Sequence, residues 1–458
     1  VKENDFAMIL GYPGRTNRWM PASGIDQNVK FAYPAWVEGS KMGMDKLKVH
    51  MNQSAEVNLM YASKYASIAN YWKNRQGMID ALTQFGTAKT KAAQEAKFNK
   101  WANKKENKAK YGNVVATINN YHALTNEKAK HDNYLMTLLR SSSYGTIARS
   151  LGRQLEAYAN ANEEKRKQMA PAIAQMADDF FTEVYIPAEK DVLAGQLNLY
   201  ATKATGHGIA PFVAEIGKAN NNDFTAYVNA AFELSMFSSA DKVKAFLLVP
   251  NQAAVANDPL VKLSNELLNH YNAKSDEIAK AQNDYSAAFR LLVEGLRESK
   301  IATILYPDAN STLRLTYGKV RALPADKRND AKVNNYTTME GLVKKYKKGD
   351  AEFDLPTKIL DMQKARNYGR YADKDGTLHV NFLTDNDITG GNSGSPVLNG
   401  KGELIGLAFD GNIEAMAGDV IFDPKLQRTI NVDIRFVLWV IDTYAGAKHL
   451  VDEMTIVK

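Results

Sequence analysis

The sequence contains no cysteine among its 458 residues. This absence excludes disulfide bonds, a thiol nucleophile and any metal site that is built on thiolates. The sequence also lacks an apolar run of 18 or more residues, which a membrane-spanning helix requires, so we expect no membrane span. Proline is absent between Pro34 and Pro171, and this permits long uninterrupted helices over that stretch.

Charge of one sign is only slightly in excess, because 58 Lys and Arg residues oppose 51 Asp and Glu residues. A hydrophobic content of 45% is typical of a globular protein rather than a disordered chain. Residues 89–110 contain eight lysines with Phe98 and Trp101 between them, but this spacing also suits the solvated face of an amphipathic helix. We therefore expect no nucleic-acid partner. Walker, His-Glu-x-x-His and calcium-loop motifs are absent, and no cofactor is expected.

The hydrophobic periodicity divides the chain into three predicted regions. Residues 1–20 form the first region, and residues 21–310 are predicted to be a domain of long amphipathic helices. Apolar residues recur there at helical spacing, as in Leu135, Leu138, Leu139, Ile147, Leu151, Leu155 and Tyr158. Residues 311–458 alternate polar and apolar residues and are predicted to be mostly β structure.

Within this last region we predict strands at 311–320, 378–383, 395–398 and 403–409. The segment 399–402 reads Asn-Gly-Lys-Gly, which is a hairpin turn signal between the last two strands. A closing helix is predicted from Asp433 to about residue 452. The fold class that follows is α+β with several domains.

The opening residues 1–11 read as a strand that begins at Val1 without an initiating Met. Two interpretations compete: a mature processed chain, and a fragment of a longer protein. We favour the fragment, because a single strand that leaves at once for helical structure is expected to lack its pairing partners.

One short segment concentrates the chemistry. It reads Gly390-Gly391-Asn392-Ser393-Gly394-Ser395-Pro396-Val397, which resembles the nucleophile loop of chymotrypsin-like serine peptidases. A glycine at position 391 allows a sharp turn, so that the N–H groups of Gly391 and Ser393 converge as an oxyanion hole. A plain Gly/Ser turn is the alternative, but the hairpin that follows favours the peptidase interpretation.

The resemblance becomes narrower over five segments. These segments are similar to family S46 dipeptidyl peptidases, and they cover residues 11–16, 65–73, 386–398, 406–414 and 427–435. The resemblance implies a chymotrypsin-like double β-barrel peptidase domain, with the first barrel mostly missing here, and a large inserted α-helical cap. It also implies release of dipeptides from oligopeptides with a free amino end, by homodimers in the periplasm or at the cell surface of bacteria.

The resemblance assigns roles to six residues. Ser393 matches the nucleophile and Gly391 the oxyanion-hole glycine. Gly411 matches the position that sets the preference at P1, the residue before the cleaved bond, and glycine there implies hydrophobic or aliphatic P1. Members selective for Asp or Glu carry arginine instead, which pairs with the substrate carboxylate.

The remaining three residues concern the substrate's free amino end. Asn70 and Asp410 match residues that hold the α-ammonium group, and Phe409 is expected to line the same subsite. The alternative for Asn70 and the neighbouring Trp72 is packing on a helix surface. For Asp410 the alternative is a turn carboxylate.

The resemblance places the catalytic His and Asp upstream of Val1. Of the seven histidines, His379 lies nearest to Ser393 in the sequence, and we do not assign it as a replacement base. A serine without a general base loses most of its activation, so we expect this chain alone to be inactive. A non-catalytic peptide-binding protein on the same fold remains the alternative function.

Overall fold

The computed structural model describes residues 1–302, 304, 306–324, 335–350 and 352–457. The chain divides into two compact units. The β unit combines residues 1–20 with residues 303–458, and the helical unit comprises residues 21–302. The helical unit is thus inserted between the first strand and the remaining strands of the β unit.

The helical unit consists of successive α-helices joined by short connections. Its helices are α1 (Ala22–Gln27), α2 (Tyr33–Met51), α3 (Ala55–Gln84), α4 (Thr87–Ala102), α5 (Lys108–Tyr111), α6 (Val114–Ser141), α7 (Leu151–Asn160), α8 (Glu163–Thr182), α9 (Ile186–Lys203), α10 (Pro211–Ala219), α11 (Phe224–Leu234), α12 (Ala240–Leu248), α13 (Gln252–Ala256), α14 (Pro259–Asn272) and α15 (Asp276–Glu298). A π-helical turn (Asn28–Ala32) links α1 to α2, and a 3₁₀ segment (Ser143–Arg149) follows α6. Among the described residues, no helix combines the length and apolarity that a bilayer crossing demands.

Side-chain caps fix where several of these helices begin. The Ser54 side chain accepts a hydrogen bond from the N–H of Val57 at the start of α3. Asp258 does the same for two N–H groups at the start of α14, where Pro259 occupies the first turn. These caps satisfy N–H groups that have no partner inside the helix.

The apolar positions predicted from helical spacing lie in the core of the helical unit. All seven are buried and belong to one hydrophobic cluster: Leu135, Leu138, Leu139, Ile147, Leu151, Leu155 and Tyr158. The prediction is therefore confirmed. It also follows that α6, the 3₁₀ segment and α7 turn their apolar faces towards the same core.

Burial of His122 in α6 makes the stability of the helical unit depend on pH. The imidazole is 6% exposed, its Nδ1 lies 2.9 Å from Ser23 Oγ, and burial lowers its pKa to about 4. In the unfolded chain the pKa is about 6.5, so only the unfolded state gains a proton between pH 6.5 and pH 4. The stabilisation is complete above pH 6.5 and is lost as the pH falls towards 4.

We therefore expect the free energy of unfolding to fall by about 2 kcal/mol between pH 7 and pH 5 on account of this one group. Urea unfolding followed by circular dichroism at several pH values measures the effect, and His122→Asn is expected to flatten the profile over that interval. An equally steep profile in His122→Asn would show that other groups cause the loss.

The described strands of the β unit form one antiparallel sheet. They are β1 (Phe6–Gly11), β2 (Arg314–Lys319), β3 (Tyr336–Thr338), β4 (His379–Thr384), β5 (Pro396–Leu398), β6 (Leu404–Gly411) and β7 (Thr429–Asp433). Their order in the sheet is β2-β1-β5-β6-β7-β4-β3. Small apolar residues fill its interior, among them Ala7, Ile9, Val397 and Ala408.

The sheet closes on itself. Val320, just beyond β2, forms an antiparallel bridge with Thr384 at the end of β4. The N–H of Arg321 donates to the Leu383 carbonyl oxygen at 3.0 Å, and the N–H of Asp385 donates to the Lys319 carbonyl oxygen at 3.0 Å. Six strands therefore form a closed barrel, and β3 pairs with the first part of β4 outside that closure.

The first strand corrects one expectation from the sequence. We expected residues 1–11 to lack pairing partners, but β1 pairs with β2 on one side and with β5 on the other. The pairing with β2 extends from Phe6 to Gly11. Both partners follow the whole helical unit in the sequence, at Arg314–Lys319 and Pro396–Leu398, so a local interpretation could not find them.

The closing helix is interrupted, so the prediction of one continuous helix was wrong. Two short helices, α16 (Met339–Lys344) and α17 (Thr357–Lys364), precede it. Helix α18 (Ile434–Trp439) then passes into a π-helical turn (Val440–Tyr444), and a separate helix α19 (Lys448–Asp452) follows. Gly446 between them has φ +71°, in the left-handed region that ends helices. Trp439, the last residue of α18, is fully buried. Its Nε1–H donates to the Asn367 carbonyl oxygen at 2.9 Å.

Candidate active site

The loop between β4 and β5 presents Ser393 at the surface of the β unit. The side chain is exposed, and its Oγ donates to the carbonyl oxygen of Phe409 on β6 at 3.3 Å. Ser395, two residues later, is buried. Its N–H donates to the carbonyl oxygen of Asn392, and its carbonyl oxygen accepts from the N–H of Ala408. The loop thus exposes one serine hydroxyl on a tightly bonded backbone.

Gly391 is required by the geometry of this loop. Its φ is +103°, a conformation that side chains disfavour. A Cβ built there would lie 2.4 Å from the carbonyl oxygen of Tyr12 and 2.8 Å from the nitrogen of Gly14. The contact is close because the N–H of Gly14 donates to the carbonyl oxygen of Gly390 at 2.7 Å. The segment that follows β1 therefore holds the loop in place.

The backbone N–H groups from Gly391 to Ser395 divide into two sets. Those of Asn392, Gly394 and Ser395 donate to carbonyl oxygens at 3.1, 2.7 and 2.9 Å, respectively. Those of Gly391 and Ser393 donate to no acceptor in the described part of the chain. The two donors predicted for an oxyanion hole are thus available to a ligand, whereas the N–H groups between and after them are engaged.

An ion pair that was not predicted from the sequence supports the start of the loop. The buried guanidinium of Arg18 makes two bonds of 2.7 Å to Asp387 and donates from Nε to the Gly418 carbonyl oxygen at 2.6 Å. Burial opposes the charge of Arg18, but the hydrogen bonds and the negative charge of Asp387 outweigh it and raise the pKa of Arg18. Thr389 is tied to the same region, because its hydroxyl donates to the carboxylate of Asp419.

No local signal in the sequence marks Arg18, which lies about 370 residues before its partner. Asp387 lies in the segment 386–398 that resembles the S46 family, and this was the only indication of its importance in the sequence. The pair fixes the backbone of the loop at its start, while the contacts of Gly391 fix it near Ser393.

A β-bulge in β6 displays the residues predicted to bind the substrate's amino end. Ala408 pairs with Asn431 and Asp410 pairs with Ile430, so Phe409 is the extra residue between them. Phe409 is 60% exposed. Asp410 is also exposed, and within the described residues its carboxylate accepts only the N–H of Gly411, at 2.8 Å. This carboxylate is therefore free to receive a cation.

Gly411 ends β6 next to the 3₁₀ segment Ile413–Ala417. A Cβ built at Gly411 would lie 2.9 Å from the Cβ of Ala415, so any side chain there requires a local shift. Five of the six predicted site residues thus lie close together in the β unit: Gly391, Ser393, Phe409, Asp410 and Gly411. The sixth, Asn70, is exposed on α3 of the helical unit, and its role remains a prediction.

None of the seven histidines makes a hydrogen bond to Ser393 within the described residues. His379 on β4 stacks on Tyr336 with ring centroids 3.8 Å apart, and its Nε2 lies 3.4 Å from Asp373 Oδ2. Burial lowers the pKa of His379, against the opposing effect of Asp373. These contacts engage His379 elsewhere, which agrees with leaving it unassigned as a base.

The family model described as Peptidase S46 matches residues 1–456. Among curated relatives, a dipeptidyl-peptidase 7 of Capnocytophaga gingivalis is 55% identical over 100% of this chain and 64% of its own length. A dipeptidyl-peptidase 7 of Phocaeicola vulgatus is 36% identical over 100% of this chain and 63% of its own length. An Asp/Glu-specific dipeptidyl-peptidase of Capnocytophaga gingivalis is 32% identical over 100% of this chain and 64% of its own length. The chain therefore spans slightly less than two thirds of these relatives.

Solved structures give the same picture. The crystal structure of Porphyromonas endodontalis DPP11 in complex with the dipeptide Arg-Glu matches with a TM-score of 0.87 and 29% identity, over 99% of this chain and 65% of that one. The structure of the same protein in an alternate conformation matches with a TM-score of 0.71 and 27% identity, over 99% of this chain and 63% of that one. The similarity thus extends across both units.

Proposed function

Since this chain belongs to the peptidase S46 family, we propose that the protein is a serine peptidase that releases dipeptides from the free amino end of oligopeptides. The observation that carries the proposal is the pairing of an exposed Ser393 with the N–H donors of Gly391 and Ser393, which are uncommitted although the N–H groups of Asn392, Gly394 and Ser395 are all bonded. The barrel of the β unit then corresponds to the second barrel of a chymotrypsin-like pair. The helical unit corresponds to the inserted cap.

In this proposal Ser393 Oγ attacks the carbonyl carbon of the second peptide bond. The electron pair of the carbonyl moves to its oxygen, where the N–H groups of Gly391 and Ser393 stabilise the negative charge. The hydroxyl proton passes to an imidazole and then to the leaving amine, which gives an acyl-enzyme that water hydrolyses. We assign this imidazole and its partner carboxylate to protein outside these 458 residues.

The limit to dipeptides follows from charge. The α-ammonium of the substrate is proposed to lie against the free carboxylate of Asp410, with Phe409 beside it. The resemblance alone assigns Asn70 to the same ammonium group. A charge-assisted bond at the amino end fixes how many residues fit before the cleaved bond. An acetylated amino end removes that charge, and such a peptide is not expected to be cleaved.

Hydrophobic or aliphatic P1 residues are the proposed preference, and Gly411 is the reason. A P1 carboxylate would be buried next to a residue that offers no cation, and an unpaired buried charge is costly. The curated relatives include both dipeptidyl-peptidases 7 and Asp/Glu-specific enzymes, so the family accommodates either preference.

Gly411→Arg is expected to shift the preference towards acidic P1, raising the ratio of acidic to hydrophobic kcat/KM by at least about tenfold. Gly411→Ala is the matched control, since it introduces the same Cβ near Ala415 without a cation. Fluorogenic dipeptides with Leu, Asp or Glu at P1 measure both variants. If both variants give the same ratio, Gly411 does not set the preference.

A peptide-binding protein without catalysis is the second candidate. It is favoured by one observation, namely that Ser393 has no histidine partner among the described residues. Measurement of turnover decides between the two candidates. The protein produced from its complete gene is expected to release dipeptides from oligopeptides. The 458-residue chain alone is expected to bind oligopeptides without cleaving them. A homodimer in the periplasm or at the cell surface is proposed on the resemblance only.

A further inference from the structure

The helical unit contains a pocket that the proposed reaction does not use. Its volume is about 670 Å³, within the range that holds small organic ligands. Helices α2, α3, α6 and α8 and the 3₁₀ segment after α6 contribute its walls. The side chains that bear on the argument are Trp36, Tyr61, Lys64, Tyr71, Arg140 and Glu183.

The cation of Lys64 is already committed. Its Nζ donates to Ser143 Oγ at 3.0 Å and to Glu189 Oε1 at 3.2 Å. Glu189 is fully buried and also accepts the hydroxyl of Tyr61 at 2.9 Å. Lys64 and Glu189 therefore cancel each other and leave no net charge for a ligand.

Arg140 is the uncommitted cation of the pocket. Its guanidinium carbon lies 5.7 Å from the ring centroid of Trp36 and 5.0 Å from that of Tyr71. In the described part of the chain it contacts no carboxylate and bonds to no carbonyl oxygen. Aromatic contacts hold a guanidinium by its face and leave the N–H groups at its edge available to an acceptor.

Trp36 adds a second donor. Its Nε1–H is shielded from solvent and has no acceptor among the described residues. A buried donor without a partner is unfavourable, and an oxygen atom of a ligand in the pocket would satisfy it. The two observations are independent. Both indicate that a ligand would place a hydrogen-bond acceptor beside Arg140 and Trp36.

The other residues that line the pocket indicate the chemical class of the ligand. Met60, Ile68, Leu139 and Phe180 give the pocket an apolar wall. The other charged group of the lining is Glu183. Arg140 and Glu183 are both exposed, so water screens both charges, and they form no ion pair with each other among the described residues. One free cation beside an apolar wall matches a molecule with one carboxylate and an aliphatic body.

We propose that this pocket binds the free carboxyl end of a short hydrophobic peptide, with Arg140 as the residue that receives the carboxylate. This is a second peptide site, in the helical unit, and it recognises the opposite end of the chain from the one that Asp410 is proposed to hold. It requires neither Ser393 nor a free amino end.

The test uses N-acetyl-Leu-Leu and its C-terminal amide with the whole protein, by isothermal titration calorimetry. The acetyl group removes the charge on which the proposed peptidase site depends, so a failure of that function leaves the result unaffected. Wild-type protein is expected to bind the carboxylate about tenfold more tightly than the amide. Arg140→Gln is expected to bind both probes equally, at the level of the amide.

Two further variants complete the design. Arg140→Lys keeps the charge and is expected to retain part of the preference for the carboxylate over the amide. This variant keeps the proposal testable if Arg140→Gln fails to fold. Arg75→Gln is the matched control, because Arg75 stacks on Tyr33 at 4.6 Å in the same unit and does not line the pocket. Equal binding of both probes by wild type, binding of neither, or discrimination that survives in Arg140→Gln would each overturn the proposal.

Discussion

Replacing Ser393 by alanine in the protein produced from its complete gene is expected to lower kcat/KM for dipeptide release by at least about 10⁴-fold. The substitution removes the oxygen atom that we propose to form the acyl-enzyme, while the exposed position means that little packing is lost. Binding of a dipeptide is expected to persist, because the carboxylate of Asp410 and the donors of the loop remain. Steady-state hydrolysis of a fluorogenic substrate with Leu at P1 gives the first quantity, and calorimetry gives the second.

Ser395→Ala is the matched control for this experiment. It makes the same change two residues along the same loop, at a side chain that is buried and faces away from solvent. We expect its activity to stay within a few-fold of wild type. If Ser395→Ala were the variant that lost activity and Ser393→Ala retained it, the nucleophile would be misassigned.

Gly391→Ala is expected to lower kcat by about 10²–10³-fold, the usual effect of losing one oxyanion donor. The added Cβ cannot be accommodated 2.4 Å from the carbonyl oxygen of Tyr12, so the peptide must rotate and its N–H must turn away. Because the donor acts on charge that develops in the transition state, kcat is expected to fall more than KM rises. Thermal unfolding of the variant reports any accompanying loss of stability.

Gly390→Ala provides the comparison, since a Cβ at that position meets no atom within 4 Å and the backbone there is not left-handed. We expect near wild-type kcat. Equal losses in the two variants would indicate that the loop is merely sensitive to bulk, and the oxyanion role of Gly391 would have to be abandoned.

The hairpin that follows Ser393 was predictable from the sequence because all of its signals are local. Strands were predicted at 395–398 and 403–409, and β5 and β6 occupy Pro396–Leu398 and Leu404–Gly411. The turn between them has Gly402 at φ +80° and a bond of 3.0 Å from Asn399 N–H to the Glu403 carbonyl oxygen. Asn-Gly sequences favour such turns whatever the rest of the fold.

The parts that were missed depend on distant partners. Strand β7 was not predicted, and its pairing with β4 and β6 uses residues that lie apart in the sequence. The bulge at Phe409 arises from register across β6 and β7, which periodicity alone does not contain. The bonds from Arg18 to Asp387 and Gly418 likewise join residues that are far apart in the sequence. The sequence pattern therefore indicated the exposed serine that we propose as the nucleophile, but not the contacts that hold its loop in position.

The position of β1 has a consequence for how the protein is made. This strand lies between β2 and β5, whose residues follow the 282 residues of the helical unit. On the ribosome, β1 emerges before the helical unit. It has no strand partner until Arg314–Lys319 has been synthesised, and it lacks its second partner until Pro396–Leu398 follows. The helical unit, rich in local contacts, is free to fold during this interval and shortens the loop that β1 must close. Nascent chains that stop before Arg314–Lys319 should therefore yield a protease-resistant helical fragment, while residues 1–20 are still cleavable.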